Sequence, residues 1–370
     1  MTILYQLLRS KATDIYSVIE NPKGFSEIID VRSPCEFQDD HIPGAINLPV
    51  LSDEERSLVG TLYKQDSFEG KKLGAGLICK NISKMFESVL KYKDRDWQPL
   101  IYCQRGGERS KSVATILLRT GFKANILNGG YKSYRRYVIN ELEKLGNKIE
   151  FQVICGLTGS GKTKLLTELN KHGLQTLNLE EIAKHYGSLL GQYPSVTQPS
   201  QKQFESNLLV AMLRLNTEQY VFVESESRKI GNRQIPTAII NKMRNSKCLW
   251  VQMTMEERIN FLLKEYTHFV KKPERFLNII GKFKNYLVKD KFDQLADLYR
   301  KKHWEEFVRM LLQEHYDPSY LNSIGKNFTK IKEAQVFESK NFSETPDLHC
   351  AMAESVSKTF KQRSTFICFS

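Results

Sequence analysis

Residues Ile101 to Ser110 read I-Y-C-Q-R-G-G-E-R-S, and this stretch decides the fold of the first half of the chain. The apolar run Pro99 to Tyr102 has strand character, and Ser110 to Arg119 (S-K-S-V-A-T-I-L-L-R) carries its apolar residues at helical spacing. Between them Gly106 and Gly107 let the backbone curl so that successive N–H groups point inward. The helix that follows adds its positive end, and the loop becomes an anion cradle. Cys103 stands at its rim, poised to react as a thiolate. Arg105 and Arg109 are expected to favour the charged form and to pair with an incoming oxyanion. A cysteine that merely fills a strand end would leave the glycine pair and both arginines without a purpose.

Outward from this loop, strands alternate with helices. Ile28 to Val31 reads as a strand, Ala75 to Tyr92 as a helix, Pro99 to Cys103 as the central strand, Ala124 to Leu127 as the next strand and Tyr131 to Leu145 as a closing helix. That alternation predicts a parallel sheet covered on both faces, with the cysteine loop at the carboxyl end of a strand, where such sheets bind ligands. Asp30 beside Arg32 reads as a structural ion pair, Cys35 as a filler in its turn, and His41 as a tie for the turn H-I-P-G.

A second strand–loop–helix follows. Ile149 to Cys155 (I-E-F-Q-V-I-C) runs into G-L-T-G-S-G-K-T, Gly156 to Thr163, and then into the helical K-L-L-T-E-L-N-K-H-G. This is a complete G-x4-G-K-[ST] phosphate loop in its required setting. The backbone around Gly156, Gly159, Ser160 and Gly161 would hold a diphosphate, Lys162 would reach across the phosphates, and Thr163 could bind Mg²⁺ if a metal is used. The apolar strand Tyr220 to Val223 ends in E-S-E-S-R-K-I-G. Glu224 there is a candidate metal or water ligand, with Glu226 and Arg228 beside it; equally, Glu224 and Glu226 could pair with Arg228 and Lys229. Phe204 to Leu215 reads as a core helix. The polar run Glu143 to Lys148 divides the chain into an α/β domain at 1–145 and a phosphate-loop α/β domain with a basic helical extension at 146–340. The tail, 341–370, offers no structural signal.

The 370 residues and 41% hydrophobic content suit two domains with ordinary cores. A mean hydropathy of −0.43 and the absence of any long apolar run argue against a membrane span, and the N-terminus does not read as a signal peptide. Seven scattered cysteines, without C-x-x-C or histidine partners at ligand spacing, argue against a disulfide framework or zinc site and make a reducing cytoplasm the default expectation. No metal centre is expected from this pattern. The net charge is +13, of which residues 1–150 supply +4 and 151–370 supply +9. Lys264 to Lys302 holds 11 Lys+Arg against 5 Asp+Glu, interleaved with aromatics. Lys271, Lys272, Lys282 and Lys284 are candidate contacts to an RNA backbone. For most of the aromatics an amphipathic bundle with rings inward is the better reading, and lysines on its outside can still bind RNA.

The cysteine loop, together with I-I-D-V-R-S-P-C-E-F (Ile28 to Phe37), H-I-P-G-A-I-N-L-P (His41 to Pro49) and L-N-G-G-Y (Leu127 to Tyr131), resembles a rhodanese domain. The C-x5-R spacing is also that of cysteine phosphatases, but Tyr102 stands where that family has histidine. With the phosphate loop, Q-P-S-Q-K-Q-F-E (Gln198 to Glu205), V-E-S-E-S-R-K-I-G and H-Y-D-P-S-Y (His315 to Tyr320) in this order, Phe25 to Tyr320 resembles the tRNA 2-selenouridine synthase family. Gln104 departs from it, since tryptophan is expected after the cysteine. The resemblance implies a transferase that replaces sulfur by selenium in 2-thiouridine at the tRNA wobble position. It would act through an S-geranyl intermediate made from geranyl diphosphate, and then use selenophosphate. It implies no tightly bound cofactor, with Mg²⁺ as an optional companion, and a hand-off from a selenophosphate-producing enzyme. Two alternatives stay open: a rhodanese-type sulfurtransferase, and a phosphate-loop kinase carrying a regulatory rhodanese-like module.

Overall fold

The computed structural model describes residues 11–187, 191, 196–265, 281, 287–339 and 347–367. Contacts divide the chain into one unit of Met1–Glu141 with Pro199–Leu209, and a second of Leu142–Gln198 with Val210–Ser370.

The first unit is built on five parallel strands: β1 (Lys11–Thr13), β2 (Glu27–Asp30), β3 (Ile46–Asn47), β4 (Pro99–Tyr102) and β5 (Asn125–Leu127). Their order is β1-β5-β4-β2-β3, so β4 lies in the middle. All four β4 residues are buried, as a continuous apolar P-L-I-Y run requires when both faces of a sheet are covered. Ile29, Ile101, Ile82, Val113 and Leu117 form its core. The expected helix from Ala75 instead spans Ser67–Ser88, because the Asp66 carboxylate accepts the N–H groups of Phe68 and Glu69 and starts it earlier. Asp30 and Arg32 form a fully buried ion pair at 2.6 Å, and the same guanidinium lies 4.0 Å from the centre of the Tyr131 ring. His41 ties its turn through Nδ1 to the Phe37 carbonyl at 2.9 Å. Cys35 is exposed.

Pro199–Leu209 belongs to this first unit through polar contacts. Lys202 pairs with Asp39 at 2.6 Å, Glu205 pairs with Arg135, and the Ser206 hydroxyl donates to Asp40 at 3.1 Å. Much of the Q-P-S-Q-K-Q-F-E stretch thus serves the unit that carries the cysteine.

The second unit has a parallel sheet of β6 (Phe151–Cys155), β7 (Gln175–Leu177), β8 (Val221–Glu224), β11 (Lys247–Gln252) and β12 (Gln335–Glu338), ordered β12-β11-β6-β8-β7. A short antiparallel pair, β9 (Lys229–Ile230) and β10 (Arg233–Gln234), lies apart from it. Strand order reverses about β6, which places the phosphate loop at the switch point. The tail, silent in the sequence, supplies the helix Leu348–Ile367. Its Met352, Ala353 and Val356 are fully buried against Leu165, Leu166, Leu169 and Phe222. In the basic stretch, the described helix Lys289–Arg300 turns Leu295 and Tyr299 inward to meet Phe307 and Leu311. Lys271, Lys272, Lys282 and Lys284 lie outside the described residues.

Candidate functional site

Each unit carries a glycine-containing loop between the carboxyl end of its central strand and a helix. In the first, Cys103 follows β4 directly and its Sγ lies 3.2 Å from the Ser110 hydroxyl. The depression over it, about 400 Å³, is bordered by Arg56, Gln104, Arg105, Gly107 and Arg109. The L-N-G-G-Y stretch clasps the loop from behind. The first amides of the helix Gly130–Lys148 serve it: Tyr131 N–H donates to the Cys103 carbonyl at 2.8 Å and Lys132 N–H to that of Gln104 at 3.0 Å. Gly130 is left-handed at φ +57°, and a Cβ there would fall on the Cys103 carbonyl oxygen.

Arg109 borders the depression over the thiol and is not a free cation there, because Glu36 holds it through two hydrogen bonds of 2.6 and 3.3 Å. Burial pushes the Glu36 carboxyl upward, and the hydrogen bond and charge of Arg109 more than offset this, leaving it below the ordinary range. Arg105 is exposed at the rim.

In the second unit the phosphate loop is clamped by residues far away in sequence. Gly156 N–H donates to the Tyr320 hydroxyl at 3.0 Å, which in turn meets Ser225 Oγ at 2.7 Å. Arg258 donates to the Thr158 carbonyl at 2.8 Å and grips Asp317 through two bonds of 2.9 and 2.5 Å. These contacts give Asp317 and Tyr320 of H-Y-D-P-S-Y a physical task, since each braces a different part of the loop. On the other side a Cβ at Gly161, φ +70°, would fall on the His349 ring, so only glycine admits the tail helix so close. Lys162 Nζ donates to the Gly156 carbonyl at 2.9 Å and lies 5.3 Å from the Tyr320 ring centre.

Beside Lys162 and Thr163 three carboxylates converge. Glu180, Glu224 and Glu226 offer oxygens that all lie within 4.8 Å of one another. The Thr163 hydroxyl is 3.5 Å from Glu180. Burial, then the charges of Glu224 and Glu226, push Glu180 up to about 10. Burial, then Glu224, push Glu226 to about 8, and burial raises Glu224 against the opposing pull of Lys162. Arg228 and Lys229 are exposed, and among the described residues neither forms an ion pair with Glu224 or Glu226, so the structural pairing weighed from sequence is not formed. Glu180 was missed in the sequence reading. Its one available signal was its place in a short helix, Leu179–Ala183, just beyond the carboxyl end of β7.

A cavity of about 950 Å³ opens from the phosphate loop. Its lining includes Gly159, Lys162, Thr163 and the carboxylates, and also the apolar side chains of Phe261 and Ile324 and the packed group Tyr299, Trp304, Phe307 and Leu311.

Residues 11–137 match the rhodanese-like domain, and 149–289 match the tRNA 2-selenouridine synthase AAA domain. A tRNA 2-selenouridine synthase from Bdellovibrio bacteriovorus is 30% identical over 363 residues, covering 85% of this chain and 93% of that protein. The chain belongs to the tRNA 2-selenouridine synthase family. A member from Shewanella piezotolerans is 31% identical over 82% of this chain and 90% of its own length. A member from Nitrosomonas europaea reaches 38% identity, but that alignment takes in 65% of this chain and 63% of the relative's length. Among the described residues no helix is long and apolar enough to cross a membrane.

Proposed function

We propose that this chain is a transferase that replaces the sulfur of 2-thiouridine at the tRNA wobble position by selenium, in two stages divided between its two loops. The observation that carries this reading is the cavity of the second unit, which joins a phosphate loop to an apolar wall. A diphosphate ester of a short isoprenoid has that same polarity, with charge at one end and hydrocarbon at the other.

In the first stage the thiocarbonyl sulfur attacks the carbon bearing the diphosphate of geranyl diphosphate. The C–O bond breaks, diphosphate departs and the base loses its N–H proton. The loop amides and Lys162 would offset the charge that grows on the departing diphosphate, while the ring of Tyr320 keeps Lys162 near its phosphates. Thr163 and the adjoining glutamates could hold Mg²⁺, which would screen the same charge. The S-alkyl group turns a poor leaving group into one that can depart as a thiol.

In the second stage the selenium of selenophosphate attacks the carbon that bears the S-geranyl group, the C–S bond breaks and geranylthiol departs with a proton; water then cleaves the Se–P bond and releases phosphate, while Cys103 and its amide loop guide the selenophosphate. Cytoplasmic location and a hand-off from a selenophosphate-producing enzyme belong to the same reading.

The test is mass spectrometry of nucleosides after the full chain is incubated with thiolated tRNA, geranyl diphosphate and selenophosphate. Geranylthiouridine followed by selenouridine is expected. Unchanged thiouridine with both donors present would reject the reading.

A further inference from the structure

A phosphate loop holds a diphosphate only when its N–H groups face inward, and in this chain part of that aim is set by a residue far outside the loop. A trans peptide points its N–H and its C=O in opposite directions, so an anchor on the carbonyl aims the amide. Ser160 and Gly161 share such a peptide. The Ser160 carbonyl oxygen lies 3.3 Å from Nε2 of His349, which is only 4% exposed. A carbonyl only accepts, so Nε2 carries the proton in this contact. The Gly161 N–H is thereby turned away from His349, and among the described residues it meets no acceptor. The Ser160 side chain offers no alternative hold, because its hydroxyl is buried with no hydrogen-bond partner among the described residues.

We infer that His349 is a positioning residue for the diphosphate: by holding the Ser160 carbonyl it keeps the Gly161 N–H aimed into the phosphate loop, which makes the tail part of that site. His349 is itself firmly held. Its ring centre lies 5.4 Å from that of Phe261, and its backbone N–H donates to the Asp347 carboxylate at 3.1 Å. The same carboxylate pairs at 3.1 Å with Lys164, two residues beyond Lys162. Behind it, Met352, Ala353 and Val356 are buried in the core of the unit. Arg258 acts on the Thr158 carbonyl in the same way, at 2.8 Å, so two alternate peptides of the loop are pinned through their carbonyls. Each pinned peptide ends in a left-handed glycine, Gly159 at φ +85° and Gly161 at φ +70°, the backbone form that gathers amides around an anion. Amides set in advance lose less ordering free energy when the ligand arrives. The matched synthase AAA domain ends at residue 289, so His349 lies beyond it. The inference rests on the phosphate loop taking a diphosphate, as proposed above.

The test is calorimetric titration of the full chain with inorganic diphosphate in the presence of Mg²⁺. His349→Leu keeps an apolar body without a donor, and affinity should fall about tenfold, the scale of one hydrogen bond. His349→Gln offers an amide N–H at similar reach and should stay within about threefold of wild type. A side chain that merely filled space would show no such rescue. Thermal melts accompany each variant. Should leucine unfold the chain, His349→Asn takes its place, since its shorter amide does not reach Ser160. Wild-type affinity in the variant without the bond, or equal losses in it and in His349→Gln, overturns the role. A tenfold loss with rescue in a chain that never alkylates tRNA would uphold the role of His349 and reject the proposed reaction. Wild-type affinity in the leucine variant of a chain that does alkylate tRNA would reject the role and leave the reaction standing. A wild type that binds no diphosphate would overturn both.

Discussion

The two glycine-containing loops of this protein share a backbone plan and differ in everything around it. Both follow the central strand of a parallel sheet and both lead into a helix whose N–H groups face the loop. The cysteine loop is shallow: about 400 Å³ of space, an exposed arginine at the rim, and a second arginine neutralised by Glu36. The phosphate loop opens on about 950 Å³ with a wall of aromatic and aliphatic side chains and a cluster of buried carboxylates. A curl of amides therefore sets only the sign of the ligand's charge. The surroundings set how much room and how much apolar surface a ligand would meet there.

The largest expected effect breaks this comparison on the cysteine side. Cys103→Ser should leave alkylation intact and abolish selenouridine, so that geranylthiouridine accumulates, because the hydroxyl keeps the loop's shape but is a far weaker nucleophile. Full selenation by this variant, read by nucleoside mass spectrometry, would remove Cys103 from the chemistry.

On the other side, Lys162→Ala should slow alkylation by roughly a hundredfold or more, the scale seen when a preorganised charge-stabilising group is lost. Selenation of tRNA supplied already geranylated should continue at its normal rate. A proportional loss of both steps would mean that the two loops do not divide the work.

A smaller effect sharpens the contrast in shape. Leu311→Trp adds bulk to the apolar lining of the chamber, and it should shift preference from geranyl toward the shorter dimethylallyl diphosphate by about tenfold in kcat/KM, the scale of a few methylenes in a pocket. Unchanged donor preference would move the hydrocarbon chain elsewhere.

The smallest concerns Glu36, whose carboxyl sits below its ordinary value in the folded protein. A depressed carboxylate stabilises the fold fully above its unfolded value near 4.5 and loses that contribution as pH falls through the folded value. Glu36→Gln should therefore cost about 1 kcal/mol at pH 7 and progressively less toward pH 3, as urea midpoints would register. The same variant frees Arg109. If selenation then rises or falls by less than twofold, the cation at that position does not act on the thiol.

How much of this was legible beforehand depended on how local the cause was. The strands at Pro99 and Phe151, the glycine loops behind them and the helices that follow are written in short-range patterns of apolar spacing and turn residues, and they form where those patterns place them. The pair Asp30–Arg32 and the tie made by His41 were also readable, because each partner lies within a few residues of the other.

What the sequence by itself determined, then, is the order of elements, the two loops and the residues at their tips. Only the tertiary structure decided their surroundings. Glu36 lies 73 residues from Arg109, Tyr320 164 residues from Gly156, and His349 189 residues from Ser160. No local spacing announces such partners. The tail helix carries little pattern of its own and is set by burial against the second core, and Glu180 meets Glu224 because β7 and β8 pair in the sheet. Charge and apolar volume at a site are sums over neighbours in space, and the chain supplies those neighbours only once it has folded.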